Sequence, residues 1–160
     1  MHKPLLLCCL LLSLSACGAG GYPDDPATAC NEANEGCGPN DCNGEGSQML
    51  PGSDCLACHT AGSSGEGGDF SYGGTAFVDI DGTAPLVGAT VRIIGNDGTS
   101  FETTTNDAGN FYGTQALSFP ILAEIDVDGQ TKAMVTPVST GACSTCHMCG
   151  GTSGGKLYAP

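Results

Sequence analysis

Cys55-Leu56-Ala57-Cys58-His59 and Cys143-Ser144-Thr145-Cys146-His147 repeat one pattern: two thiols three residues apart, with an imidazole directly after the second. That spacing suits covalent attachment of c-type haem, because the two thiols reach the two vinyl groups of one porphyrin and the histidine sits beneath the iron as proximal ligand. The chain has three histidines, His2 near its start and these two. Random placement of the later two would set both directly after a Cys-x-x-Cys about once in ten thousand shuffles. Other chemistries share these residues. Cys55, Cys58, Cys143 and Cys146 could form one tetrahedral four-cysteine zinc site, which would leave both histidines unexplained. The pairs could be disulfides of a stapled surface module, or one could be a thiol–disulfide couple, although no βαβ context supports that. The reading adopted is two covalent haems c, one held by Cys55, Cys58 and His59, the other by Cys143, Cys146 and His147.

With both of these histidines used as proximal ligands, only His2 at the start of the chain remains, and neither haem has a second histidine near it in sequence. Met148 directly follows His147 and cannot wrap to the far side of that iron. Met49 lies six residues before Cys55 and Met134 nine before Cys143. Each has chain enough to cross a porphyrin face, at about 3.3 Å per extended residue. Met49 and Met134 are therefore candidate axial ligands, set against the core packing that methionine ordinarily provides. Thioether ligation would raise the potentials above those of bis-histidine haem. A hydrolytic triad has no histidine left to use, no glycine-rich loop opens a helix to cradle phosphate, and a peroxidase would need a distal acid–base group. The expected role is electron transfer without bond chemistry, so no enzyme is expected.

Eleven cysteines make compartment decisive. Lys3, an apolar run over 5–14 and the small residues of Leu14-Ser15-Ala16-Cys17 have the shape of a secretory signal peptide, too short to span a bilayer. Leu-Ser-Ala-Cys resembles the lipobox of bacterial lipoproteins. The resemblance implies removal of a signal peptide at 1–16, with Cys8 and Cys9, and acylation of Cys17 as a lipid anchor. Gly18, in place of Asp, implies transport to the outer membrane, facing the periplasm or the cell surface. Several acyl chains on one residue hold a protein to a membrane durably. Cys30, Cys37, Cys42 and Cys149 then remain, an even number compatible with two disulfides in an oxidising cell envelope.

Seventeen acids stand against four bases, for a net charge of −13. Such a chain repels nucleic acid phosphates and anionic lipid, and should steer toward a redox partner with a basic docking surface. Residues 17–52 are rich in Gly, Asn, Asp and Pro and offer little to bury, which predicts a flexible, disordered tether. Residues 53–69 form the first haem-binding segment, 139–160 the second with its tail, loose over 150–155. Between them, 70–138 alternate with period two. Ala76, Val78 and Ile80, then Ala89, Val91 and Ile93, then Ile121, Ala123, Ile125 and Val127 mark half-buried strands. Further strands are read over 100–105 and 129–136, about six in all. Asp81-Gly82, Asp97-Gly98 and Asp128-Gly129 fall where turns need positive φ. Asp79-Ile80-Asp81-Gly82 and Asp126-Val127-Asp128-Gly129 look like calcium-loop fragments but lack the closing Glu, which favours turns. The expected fold is mainly β, a small antiparallel sandwich with its haem motifs on loops.

Gly74-Thr75-Ala76-Phe77, then 85–91 (Pro-Leu-Val-Gly-Ala-Thr-Val), then 105–111 (Thr-Asn-Asp-Ala-Gly-Asn-Phe) resemble the carboxypeptidase regulatory-like domains. Under half the chain is covered. The resemblance implies a transthyretin-like sandwich with turns at Gly88 and Gly109, Val91 and Phe111 in the core, and no catalytic residues. The combination resembles small bacterial lipoproteins that join Cys-x-x-Cys-His motifs to such a domain. The function expected is electron transfer by a membrane-anchored di-haem cytochrome. The alternative is a structural or binding β-sandwich lipoprotein whose cysteine pairs form disulfides or a four-cysteine zinc site. An even number of up-and-down strands between the motifs would return the chain to one end and make the two haems neighbours.

Overall fold

The Asp-Gly pairs turn the chain as their chemistry requires. Gly82, Gly98 and Gly129 all have positive φ, as does Asp128 at 53°, and the last pair closes a tight hairpin in which Val127 pairs with Gln130. In the computed structural model, which describes residues 49–61, 68–148 and 150–160, the strands are β1 (Tyr72–Phe77), β2 (Thr90–Ile94), β3 (Ser100–Thr104), β4 (Asn110–Gly113), β5 (Leu122–Val127), β6 (Gln130–Ala133) and β7 (Leu157–Tyr158). They form a three-stranded sheet, β4-β1-β7, and a four-stranded sheet, β3-β2-β5-β6. The protein is a small, mainly β, sandwich-like fold. Cys17, Cys30, Cys37, Cys42 and Cys149, and the expected tether up to residue 48, lie outside the described residues.

β2 shows why alternation was the right signal in the four-stranded sheet. Val91 and Ile93 point into the core, while Arg92 points out to Glu102 and Glu124 on the flanking strands, at 2.7 and 3.0 Å. The core joins Val91, Ile93 and Ile125 of this sheet to Tyr72, Ala76 and Phe111 of the other. Full burial of side chains the size of Val91, Ile93, Ile125 and Phe111 stabilises the fold by about 1.5–3 kcal/mol each. Val91 and Phe111 take the core places the resemblance implied, and Gly88 and Gly109 have φ of 76° and 74°.

The first strand departs from the expected pattern. Alternation over 76–80 predicted Ala76, Val78 and Ile80 on a core face. Instead β1 begins at Tyr72, is buried at all six positions, and ends at Phe77, leaving Val78 and Ile80 each 44% exposed. A strand covered on both faces carries no period-two signature. The tail also departs from expectation. Beyond the turns of 150–155 it returns as β7, and Ala76 and Phe77 pair in parallel with Leu157 and Tyr158. The sandwich is therefore antiparallel-rich, not wholly antiparallel.

Gly109 is held by its surroundings as well as by its φ. A Cβ there would lie 2.3 Å from the Ala76 carbonyl oxygen, whereas one on Gly98, φ 82°, would meet nothing. Gly98→Ala should cost about 1 kcal/mol, the ordinary penalty of positive φ. Gly109→Ala should cost at least about 3 kcal/mol, because backbone strain and a backbone clash combine. Urea unfolding of the two variants checks this, and equal costs would contradict the packing described.

Candidate functional site

Each Cys-x-x-Cys-His motif folds as a single helical turn rather than the loop expected: α1 (Cys55–Cys58) and α2 (Cys143–Cys146). Local hydrogen bonds close both turns. Asp54 caps α1 by accepting from the Leu56 N–H at 3.0 Å. The second motif lacks a capping side chain on Ala142, but the Thr145 hydroxyl donates to the Ala142 carbonyl at 2.7 Å. From there the two repeat one another. The N–H of His59 donates to the Cys55 carbonyl and that of His147 to the Cys143 carbonyl, both at 3.0 Å. The Cys55 thiol donates to the Ser53 carbonyl at 3.8 Å and the Cys143 thiol to the Gly141 carbonyl at 3.5 Å. The His59 ring meets a carbonyl from the following loop, with Nδ1 3.3 Å from the oxygen of Gly68. The His147 ring makes its own hydrogen bond to the backbone of Gly155.

Both motifs are assembled on β1, at Gly73 and Gly74. A Cβ on Gly73 would lie 2.9 Å from Cβ of Cys55, and one on Gly74 would lie 2.8 Å from Cβ of Cys143. Neighbouring strand residues face opposite ways, so the motifs take opposite faces of the strand. Gly74 pairs with the core residue Phe111, which places Cys143 on the inner face; Gly73 pairs with Tyr112, which places Cys55 on the outer face. This accounts for the two-sided burial of β1. Residues 141–142 run alongside β1, with Gly73 N–H donating to the Gly141 carbonyl at 2.9 Å. The motifs thus meet at one end of the sandwich, although the strands do not run simply up and down.

A buried polar chain fastens the first motif. Gly52 N–H donates to the Thr75 hydroxyl at 2.8 Å, which donates to the Asn110 side-chain oxygen at 2.6 Å, while the Asn110 amide donates to the Met49 carbonyl. The sandwich thereby holds residues 49–52, assigned from sequence to the tether. Met134 donates its N–H to the Ala123 carbonyl at 2.9 Å, extending the β5–β6 pairing. Its neighbour two residues back, Lys132, approaches His147 and lies 3.0 Å above the Tyr158 ring. Met49 and Met134 are both half-buried, and Met134 lies just past the end of β6.

Electrostatics favour neutral groups here. Burial, then the nearby Asp54, pushes the Cys55 thiol up from its ordinary 9.0 to about 11. Burial, then Cys55 and Cys146, pushes Cys143 up to about 12. Burial lowers the pKa of His147, and Lys132 lowers it further. Tyr72, wholly buried, has its hydroxyl without a hydrogen-bond partner and close enough to Cys143 to feel its charge. Among the described residues no three of His, Cys, Asp and Glu gather as a metal-binding group, and the four motif cysteines are not bridged to one another. The calcium-loop fragments are turns: Asp79 accepts from the Thr83 N–H at 3.0 Å and Asp126 from the Gly129 N–H at 3.2 Å. Gly73, the Thr75–Asn110 pair, Phe70 and Tyr112 were missed as site residues by sequence reasoning. A Gly-Gly inside a strand is itself a signal of close approach by another segment.

No family model matches the chain, and no curated protein or solved structure matches it.

Because the folded thiols ionise above an unfolded thiol, they contribute stability that is intact below about pH 9 and lost as the pH rises past it. The urea midpoint of the reduced, haem-free chain should therefore fall between pH 9 and pH 11. A midpoint that stays level across that range would contradict the burial of Cys55 and Cys143.

Proposed function

We propose that this protein is a di-haem c-type cytochrome that transfers electrons in the cell envelope. The observation that carries the reading is the twofold construction of the site. Two distant segments with the same five-residue pattern adopt the same turn, with the same histidine cap in which the histidine N–H donates to the carbonyl of the first cysteine. Disulfide pairs or a shared zinc site would give no reason for either histidine to be so placed.

The donor set fits the group. The Gly68 carbonyl can only accept, so Nδ1 of His59 carries the proton and Nε2 is the nitrogen suited to an iron. His147 is kept neutral, as a ligand must be. Burial keeps the Cys55 and Cys143 thiols uncharged in the haem-free chain. Cys55, Cys58 and His59 would hold one haem, Cys143, Cys146 and His147 the other, with Met49 and Met134 as candidate sixth ligands. Bound haem supplies a one-electron couple. The chain's own residues do the rest: the Gly68 and Gly155 backbone groups orient the imidazoles, and β1 keeps the two attachment points side by side.

The lipobox-like leader favours a lipid-anchored protein at the outer membrane, tethered through Cys17, with Cys30, Cys37, Cys42 and Cys149 available for disulfides there. The acidic charge favours a basic partner protein. All three described cations are engaged: Arg92 with two glutamates, Lys132 over Tyr158 and Lys156 over Phe77. The β domain itself supports no catalytic role and is read as the carboxypeptidase regulatory-like scaffold.

Expressed with cytochrome c maturation machinery, the chain should give a pyridine haemochrome of two haems. Cys55→Ala/Cys58→Ala and Cys143→Ala/Cys146→Ala should each retain one. Exchange with a basic partner should slow as salt is raised. No haem, or rates indifferent to salt, would contradict the corresponding part of the reading.

A further inference from the structure

We propose that the first motif is the face through which this protein exchanges electrons with its partner, and that Tyr112 is the surface end of that route. The inference rests on the haem reading above and adds direction to it.

The two motifs are alike in their turns but not in their surroundings. The first lies on the outer face of the three-stranded sheet; the second lies on the inner face, where Cys143 sits against Phe111. His59 is only 4% exposed, yet its ring does not end in the interior. It stacks on Phe70 with centroids 4.1 Å apart and planes 13° apart, and Phe70 stacks on Tyr112 at 4.4 Å and 10°. Tyr112 is 43% exposed. Three nearly parallel rings therefore lead from the buried imidazole to solvent. The Phe70 N–H also donates to the His59 carbonyl at 2.7 Å, so backbone and rings hold the same register. Among the described residues these are the two stacked ring pairs, and both belong to the first motif.

Charge points the same way. Asp54 caps the first motif and exposed Asp69 directly precedes Phe70, so the segments that carry the first two rings of the stack each bear a carboxylate. Lys132 stands beside His147 instead. A partner with a basic surface is drawn to the first motif and repelled by the lysine at the second. The step is the passage of one electron between the His59 centre and a one-electron carrier protein: one is oxidised, the other reduced, and no proton or bond moves.

Two measurements on the full haem-loaded chain test this. Hexaamminechromium(III), a redox-inert trication, should broaden the Tyr112 ring resonances at lower concentration than those of Tyr158. In stopped flow with the cationic oxidant hexaammineruthenium(III), Tyr112→Ser and Asp54→Asn/Asp69→Asn should each slow the reaction at low salt by at least about threefold. The Asp pair should also flatten its salt dependence, with asparagine keeping the helix cap. Tyr112→Phe, which preserves the stack, should recover most of the rate lost in Tyr112→Ser. Unchanged rates in Tyr112→Ser and the Asp variant with two haems still attached, or equal broadening at both tyrosines, would overturn the port while leaving the cytochrome reading intact. Absence of covalent haem from the parent chain would overturn the reading on which the port rests.

Discussion

Two adjacent residues without side chains, Gly73 and Gly74, are the constraint on which the site depends. Each leaves space on one face of β1 that the first cysteine of a motif fills, at distances that a Cβ could not share. A strand normally presents side chains to both faces and holds other segments some 10 Å away. Here the backbone itself is the floor of both sites, so segments separated by the whole sandwich become neighbours. The tight approach also desolvates Cys55 and Cys143, which is why their thiols resist ionisation. Packing and electrostatics in the site thus share one cause.

The same constraint separates the sites in character. Pleating sends Gly73 outward and Gly74 inward, and the motifs inherit that difference. The outer motif needed a latch, supplied by Thr75 and Asn110, and rings to cover its histidine, supplied by Phe70 and Tyr112. The inner motif packs Cys143 against the core, and the edge strand β6 brings Lys132 toward His147. An inward-pointing lysine on an edge strand also deters pairing with another chain.

Much of this was legible in the residues. The Asp-Gly turns, the alternation of β2 and the core positions Val91 and Phe111 follow from local rules that the structure obeys. The two Cys-x-x-Cys-His motifs stand out in the sequence because thiol and imidazole spacing is chemistry rather than fold. What could not be read was β1, since a strand buried on both faces has no alternation to find, and β7, two residues long and paired only through a distant strand. The stack was hidden for the same reason. Phe70 and Tyr112 are 42 residues apart, and only the pairing of β4 with β1 makes them neighbours.

The most direct test is anomalous diffraction at the iron absorption edge from crystals of the haem-loaded chain. The account predicts two iron positions on opposite faces of β1, one beside His59 and one beside His147. A single metal position shared by the four motif cysteines, or none at either histidine, would contradict it.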